Sequence, residues 1–215
     1  MADHIAVGDR DVLLAVDVQN DFCPGGALAV ARGDEVVPAI NRLGQAFAHV
    51  VMTQDWHPRG HRSFASAHPG RRPFETIRVA YGEQTLWPDH CVQGTPGAEF
   101  HKGLELTGCE LILRKGFRAQ IDSYSAFYEN DRKTATGLAG YLRERGLERL
   151  FVVGLATDYC VQYSALDARR AGFESILVED ACRAIDLQDS LDAAMRAMRE
   201  AGVKVVQTDA VSPAR

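Results

Sequence analysis

A chain of 215 residues with 46% hydrophobic content carries enough apolar side chains for one substantial core, so a single domain over 1–215 is expected. Its 24 basic and 29 acidic side chains leave a net charge of −5 with no dominant basic run, which argues against nucleic acid and anionic membrane as partners. Five cysteines (Cys23, Cys91, Cys109, Cys160, Cys182), an odd number with no CxxC, read as reduced thiols and not as a disulfide framework.

At the N-terminus Met1 to His4 lacks the basic start and apolar core of a leader, and no apolar run reaches membrane-spanning length. The cytoplasm is the expected compartment. Val12-Leu13-Leu14-Ala15-Val16 is a continuous apolar run, the pattern of a strand covered on both faces in a parallel sheet. Asp17 ends it and admits two readings, a turn or capping residue or a positioned acid/base. Gln19 to Gly26 is a loop by its turn residues. Asp34 to Ala48 places Val36, Val37, Ile40, Leu43 and Phe47 at helical spacing, and a second strand, His49 to Gln54, runs into Asp55-Trp56-His57-Pro58. Alternate residues of an extended segment share a face, so Asp55 and His57 can aim at one point, where Pro58 stops the strand.

From about 58 to 106 the periodicity fails, in an insertion rich in Gly, Pro, His and Arg that carries Gly60 to Phe64 and Leu86 to Gly97. A loop of this length inside a compact domain points to function, here the lid and wall of a site. A third strand, Glu110 to Arg114, ends at Lys115-Gly116, and the irregular stretch Phe117 to Asn130 holds Tyr124, Phe127 and Tyr128. A helix over Thr136 to Arg145, a strand over Leu150 to Val153 and a helix over Val161 to Ala171 follow. The chain closes with a strand (Ser175 to Glu179), a helix (Leu187 to Ala201) and a strand (Val203 to Gln207). This alternation predicts the α/β class: a three-layer α/β/α domain around a six-stranded, mainly parallel, Rossmann-like sheet with right-handed crossovers. Ligands bind such sheets at the carboxyl ends of the strands, which is where Asp17, Asp55 with His57, Lys115 and Cys160 all fall.

In Gly154-Leu155-Ala156-Thr157-Asp158-Tyr159-Cys160-Val161 the glycine permits a sharp bend, Thr157 or Asp158 can cap a helix, and Cys160 falls in its first turn. Cys160 is either a thiolate nucleophile or an inert buried thiol. Lowering a thiol from about 8.5 to about 7 takes roughly 2 kcal/mol, whereas a helix terminus contributes about 0.3 to 1 kcal/mol. A cation or base must supply the rest. Lys115 can stabilise the thiolate and Asp17 can take its proton, the alternative for Lys115 being a solvated strand-end lysine. Asp55, His57 and His90, oxygen and nitrogen donors without sulfur, suit Zn²⁺, Fe²⁺ or Mn²⁺ with open positions; His4, His49, His68 and His101 read as incidental.

Asp17-Val18-Gln19-Asn20-Asp21-Phe22, Asp55-Trp56-His57-Pro58, Trp87-Pro88-Asp89-His90-Cys91-Val92, Lys115-Gly116 and the Gly154 to Val161 octapeptide together resemble the nicotinamidases, also called pyrazinamidases, of the isochorismatase-like cysteine hydrolases. The resemblance runs in order from about Val12 to Val206. It implies the isochorismatase-like fold, hydrolysis of nicotinamide and pyrazinamide through a cysteine thioester in NAD salvage, and a small aromatic amide as the partner. It further implies a triad of Asp17, Lys115 and Cys160, one divalent metal (zinc first, iron or manganese otherwise) on Asp55, His57 and His90, and a cis Leu155–Ala156 bond. Ala156 and Cys160 would then give the N–H groups of an oxyanion hole, with Phe22, Trp87 and Tyr124 as aromatic walls. His61 lies where some members supply another metal ligand. A homo-oligomer is a further possible partner arrangement, which the sequence does not specify. Two other readings remain: an amidohydrolase of carbamoyl or ureido substrates, whose members generally lack the metal set, and a non-catalytic α/β metal- or nucleotide-binding module. The latter has no GxGxxG after the first strand.

Overall fold

The structure, a computed structural model, describes residues 4–213. In chain order it contains β1 (Ile5–Val7), β2 (Asp11–Val16), α1 (Val36–Gly44), β3 (His49–Asp55), β4 (Thr76–Val79), β5 (Gly82–Thr85) and β6 (Cys109–Lys115). There follow α2 (Leu138–Glu144), β7 (Arg149–Leu155), α3 (Gln162–Arg170), β8 (Glu174–Arg183), α4 (Ser190–Glu200), β9 (Lys204–Val206) and β10 (Val211–Pro213). No helix among the described residues is long and apolar enough to cross a membrane.

Six strands form one sheet in the order β6-β3-β2-β7-β8-β9, and every neighbouring pair is parallel. The chain starts at the middle, builds outward through β3 and β6, then returns to the other side of β2 for β7. Strand order therefore reverses between β2 and β7, the crevice at which such sheets bind ligands.

Side-chain alternation along the central strands feeds two separate cores. Leu13, Ala15, Val50, Met52, Phe151 and Val153 face α1, whose Val36, Val37, Ile40 and Leu43 form its apolar stripe. Val12, Leu14, Val16, Leu150 and Val152 face the other way, onto Leu138 and Leu142 of α2, Ala165 and Ala168 of α3, and Met195 and Met198 of α4. Both faces are covered, which is why these strands read as unbroken apolar runs. Each fully buried Leu, Val or Phe contributes about 1.5 to 3 kcal/mol to the sheet's burial.

The structure departs from the sequence reading at several element ends. Helix α1 runs over Val36–Gly44 and leaves Phe47 beyond it, where the ring packs edge-on against Phe151 at 4.9 Å. Strand β8 is longer than its apolar run because a register shift against β7 carries it on to Arg183. The short parallel pair β1–β10 has too few residues to show a period. Within the 58–106 insertion β4 and β5 pair as an antiparallel hairpin, so that segment is not structureless. Cys160 lies in a π-helical turn, Thr157–Val161, ahead of α3 and not in the first turn of an α-helix.

Candidate active site

The carboxyl ends of β2, β3, β6 and β7 deliver Asp17, Asp55, Lys115 and the Cys160 turn to one buried point. At Gly154 (φ 112°) a Cβ would collide with the Val16 backbone, so only glycine lets β7 lie this close to β2 at the strand reversal. The Leu155–Ala156 peptide bond is cis.

Lys115 is the hub. Its ammonium lies 2.7 Å from Asp55 Oδ1, 3.0 Å from the Ser123 carbonyl oxygen and 3.3 Å from Cys160 Sγ. Asp17 Oδ2 stands 2.8 Å away as an ion pair, a fourth acceptor competing for the ammonium's three hydrogens. The same carboxylate lies beside the Cys160 thiol, where it can accept the thiol proton. The other oxygen, Asp17 Oδ1, accepts a 2.6 Å hydrogen bond from Thr53 Oγ1, which itself accepts the Asp17 backbone N–H at 3.1 Å.

Burial governs the electrostatics. It pulls the Lys115 ammonium down, but the Asp17 and Asp55 carboxylates outweigh it and hold the group well above its ordinary value, so the lysine stays charged. Burial raises the Asp17 carboxyl; Lys115 offsets part of that and Asp55 adds to it. The Cys160 thiol is pushed well above its usual range by burial, against Lys115 and with the help of Asp17 and Asp55. A standing thiolate would need a partner that lowers the thiol towards about 7. Lys115 acts in that direction, but the two carboxylates it brings with it, together with burial, reverse the sign. A Cys160 nucleophile in this setting would call for proton transfer to Asp17 during the reaction, not a standing thiolate.

Asp55 faces two ways. Its Oδ1 meets Lys115, while its Oδ2 lies 3.0 Å from His57 Nε2 and 3.4 Å from His90 Nε2. Backbone carbonyls orient both rings: His57 Nδ1 donates to Gly116 O at 2.9 Å and His90 Nδ1 to Pro88 O at 2.8 Å. That leaves the lone pairs on the two Nε2 atoms, turned towards a carboxylate oxygen. Three lone pairs so close repel one another unless a cation or an extra proton lies among them. The ligand atoms of Asp55, His57 and His90 lie within 4.8 Å of one another, a donor set that fits a divalent metal ion. Without metal, burial disfavours His57 protonation but Asp55 overrides it and raises the imidazole above its ordinary value. Gly116 has φ 67° and a Cβ there would strike the His57 ring, so the turn after Lys115 is also shaped by that imidazole.

His61 does not join this set directly. Its Nδ1 is 2.7 Å from Ser63 Oγ and its Nε2 is 3.0 Å from Arg118 O and 3.3 Å from Ile121 O, although with His57 and Asp122 it forms a neighbouring group of possible donors.

Above the cluster opens a narrow cleft in which Phe22, Trp87, Tyr124, Ala156 and Cys160 share the lining with Asp55 and His90. Tyr124 Oη accepts from Trp87 Nε1 at 3.0 Å and from Gln84 Nε2 at 3.1 Å, so the β4–β5 hairpin braces one aromatic wall. Every site residue picked from the sequence except the candidate His61 therefore lies in or under this cleft.

Several contributors escaped the sequence reading. Gln19 clamps the Asp55 backbone, with Oε1 accepting its N–H and Nε2 donating to its carbonyl, both at 2.8 Å. Thr53 braces Asp17, Asp122 and Tyr159 line the cleft, and so do Leu28 and Ile185. Thr53 alone carried a local signal, a hydroxyl directly after the apolar run Val50-Val51-Met52. The others depend on contacts between distant segments.

The isochorismatase domain model matches residues 11–210. A curated nicotinamidase of Acinetobacter baylyi is 55% identical over 196 residues, covering 91% of this chain and 92% of that one. The L. infantum PnC1 structure in complex with nicotinate superposes with a TM-score of 0.86 at 39% identity, over 98% of this chain and 100% of that one. The Pyrococcus horikoshii pyrazinamidase structure in complex with zinc gives a TM-score of 0.75 at 37% identity, over 92% and 99% of the two chains. A match over nearly the full length, on a sheet of this order and with these residues at its strand ends, shows that the chain belongs to the isochorismatase family.

Proposed function

We propose that the chain is a cytoplasmic, metal-assisted cysteine amidohydrolase that converts nicotinamide, and its analogue pyrazinamide, to the free acid and ammonia in NAD salvage. The whole of 1–215 would act as one catalytic domain, with the 58–106 insertion as its wall. The observation that carries this reading is the Lys115 ammonium, which ties Cys160 and Asp17 to Asp55 under an aromatic cleft. Names of close relatives support it: a nicotinamidase at 55% identity and a related structure holding nicotinate.

In the mechanism, the aromatic ring lies among Phe22, Trp87 and Tyr124 with its carboxamide against Cys160. Asp17 Oδ2 takes the thiol proton while Lys115 holds its charge and Thr53 its orientation. The sulfur attacks the amide carbon, and the Ala156 and Cys160 N–H groups receive the developing oxyanion. Asp17 returns its proton to the nitrogen as the C–N bond breaks, and ammonia leaves. A water molecule then gives a proton to Asp17 and attacks the thioester, the C–S bond breaks, and the acid departs as Cys160 regains its proton.

Asp55, His57 and His90 would hold one divalent cation, zinc by the relative that binds it, with iron or manganese as the other ions this donor set accepts. Such an ion supplies a Lewis-acid site for the ring nitrogen and thereby orients the substrate. The test is ammonia release from nicotinamide, pyrazinamide and a ureido amide by the purified protein and its Cys160→Ala variant. Release from the first two, abolished in a folded Cys160→Ala protein, is expected. Undiminished release by that variant removes the nucleophile, and a preference for the ureido compound removes the substrate class.

A further inference from the structure

Two residues before the nucleophile, Asp158 is buried and takes no part in the chemistry above. Its carboxylate reaches away from the cleft into the connection between β8 and α4. Oδ1 accepts the Ile185 backbone N–H at 3.0 Å, and Oδ2 accepts the Asp186 N–H at 2.8 Å and the Ser190 hydroxyl at 2.5 Å. That connection is otherwise an unfavourable shape: Asp186, Gln188 and Asp189 all have left-handed backbones (φ 56°, 55° and 62°) without being glycine. Ile185, held at its start, lines the cleft beside Ala156, Tyr159 and Cys160. It is an aliphatic wall, next to aromatic ones, borrowed from the far end of β8.

We propose that Ile185 sets how large a ring the cleft accepts, and that Asp158 is the positioning residue that holds this wall against the nucleophile turn. The inference rests on the amidohydrolase reading of the site. A carboxylate suits the task because three donors converge on it. The isosteric amide of asparagine has one oxygen and would turn an N–H₂ towards at least one of those donors, leaving it unpaired. The connection, with three left-handed residues to relax, would then move outward and take Ile185 with it. Substrate binding and ring discrimination should suffer, while Asp17, Lys115 and Cys160 keep their mutual contacts.

The experiment compares wild type, Ile185→Ala, Asp158→Asn and the double variant on nicotinamide and on its 2-, 5- and 6-methyl derivatives, with nicotinate binding followed by tryptophan fluorescence. Each single variant should raise KM for nicotinamide and weaken nicotinate binding by roughly tenfold or more, with kcat within about threefold, as expected when one aliphatic wall contact is lost. At least one methylated amide should gain about tenfold in kcat/KM relative to nicotinamide. In the Ile185→Ala background Asp158→Asn should add less than about twofold, since the side chain it positions is gone. A lowered kcat with unchanged KM and unchanged ring preference in Asp158→Asn overturns the positioning role, because a merely structural loss has that signature. Unaltered ring preference in Ile185→Ala overturns the wall itself, and this variant answers even if Asp158→Asn does not fold. A wild-type protein that neither hydrolyses nicotinamide nor binds nicotinate overturns the amidohydrolase reading instead.

Discussion

Replacing Thr53 by valine isolates the hydrogen bonds that aim Asp17, the proposed general base. Valine has nearly the same shape, so the packing of β3 against β2 and β6 survives. Lost are the 2.6 Å bond to Asp17 Oδ1 and the acceptor for the Asp17 backbone N–H, both fully buried. A hydrogen bond to a charged group contributes about 1.5 to 3 kcal/mol, and a buried N–H left without a partner costs about 1 to 3 kcal/mol. These terms overlap, so a stability loss of about 2 to 4 kcal/mol is expected, or roughly 5 to 15 °C in Tm for a domain of this size. If the orienting part, about 1.5 to 3 kcal/mol, is felt in the transition state, kcat/KM falls about 10- to 100-fold. The bond to Thr53 also works against the burial that raises Asp17. Its removal lifts the carboxyl further, and the acid limb of kcat/KM should move to higher pH because the base is protonated over a wider range. Ammonia release across pH for Thr53→Val, with Thr53→Ser as the control that keeps the hydroxyl, measures both effects. A valine variant with wild-type kcat/KM and an unmoved acid limb would refute the bracing argument.

Lys115→Met strands two buried carboxylates and should cost about 3 to 5 kcal/mol in urea unfolding near neutral pH. Burial already raises the Asp17 carboxyl, and with the offsetting ammonium gone it titrates higher still in the folded chain, so it favours folding when protonated and this is lost as pH rises. The deficit relative to wild type should therefore shrink from pH 7.5 to pH 5, and a pH-independent deficit would contradict the assignment. Gly116→Ala pushes a methyl group into the His57 ring, and metal affinity measured by competitive chelator titration should fall about 10- to 100-fold. Thorough chelation of the wild-type enzyme should raise KM for nicotinamide more than it lowers kcat; a pure kcat loss would assign the ion to chemistry instead of ring orientation. Gln19→Leu releases the Asp55 backbone clamp, and a variant with undiminished metal content would show that the clamp is dispensable.

Element type was legible wherever burial imposed a long period. Both faces of β2, β3 and β7 are covered, and their apolar runs declared it; the stripe of α1 did the same for one helix. Elements of three or four residues, such as β1, β10 and the β4–β5 hairpin, carry too few positions for periodicity to speak. The Cys160 turn was placed correctly after its strand, yet its π-helical form depends on two hydrogen bonds, from the Val161 N–H to Ala156 O and from the Gln162 N–H to Thr157 O, that composition does not encode.

By itself the sequence determined which residues stand at the strand ends and the family they mark, because an α/β alternation and short motifs are local properties of the chain. Only the tertiary structure decided that Lys115 joins the thiol to the candidate metal donors through Asp55, sixty residues earlier in the chain. It alone decided that Thr53, Gln19 and Asp158 hold the parts in place, and that the Cys160 thiol is raised instead of lowered. Those outcomes depend on which groups share a small buried volume. In a medium that screens charge poorly, the balance among one ammonium, two carboxylates and a thiol follows from their separations in space, which spacing along the chain does not fix.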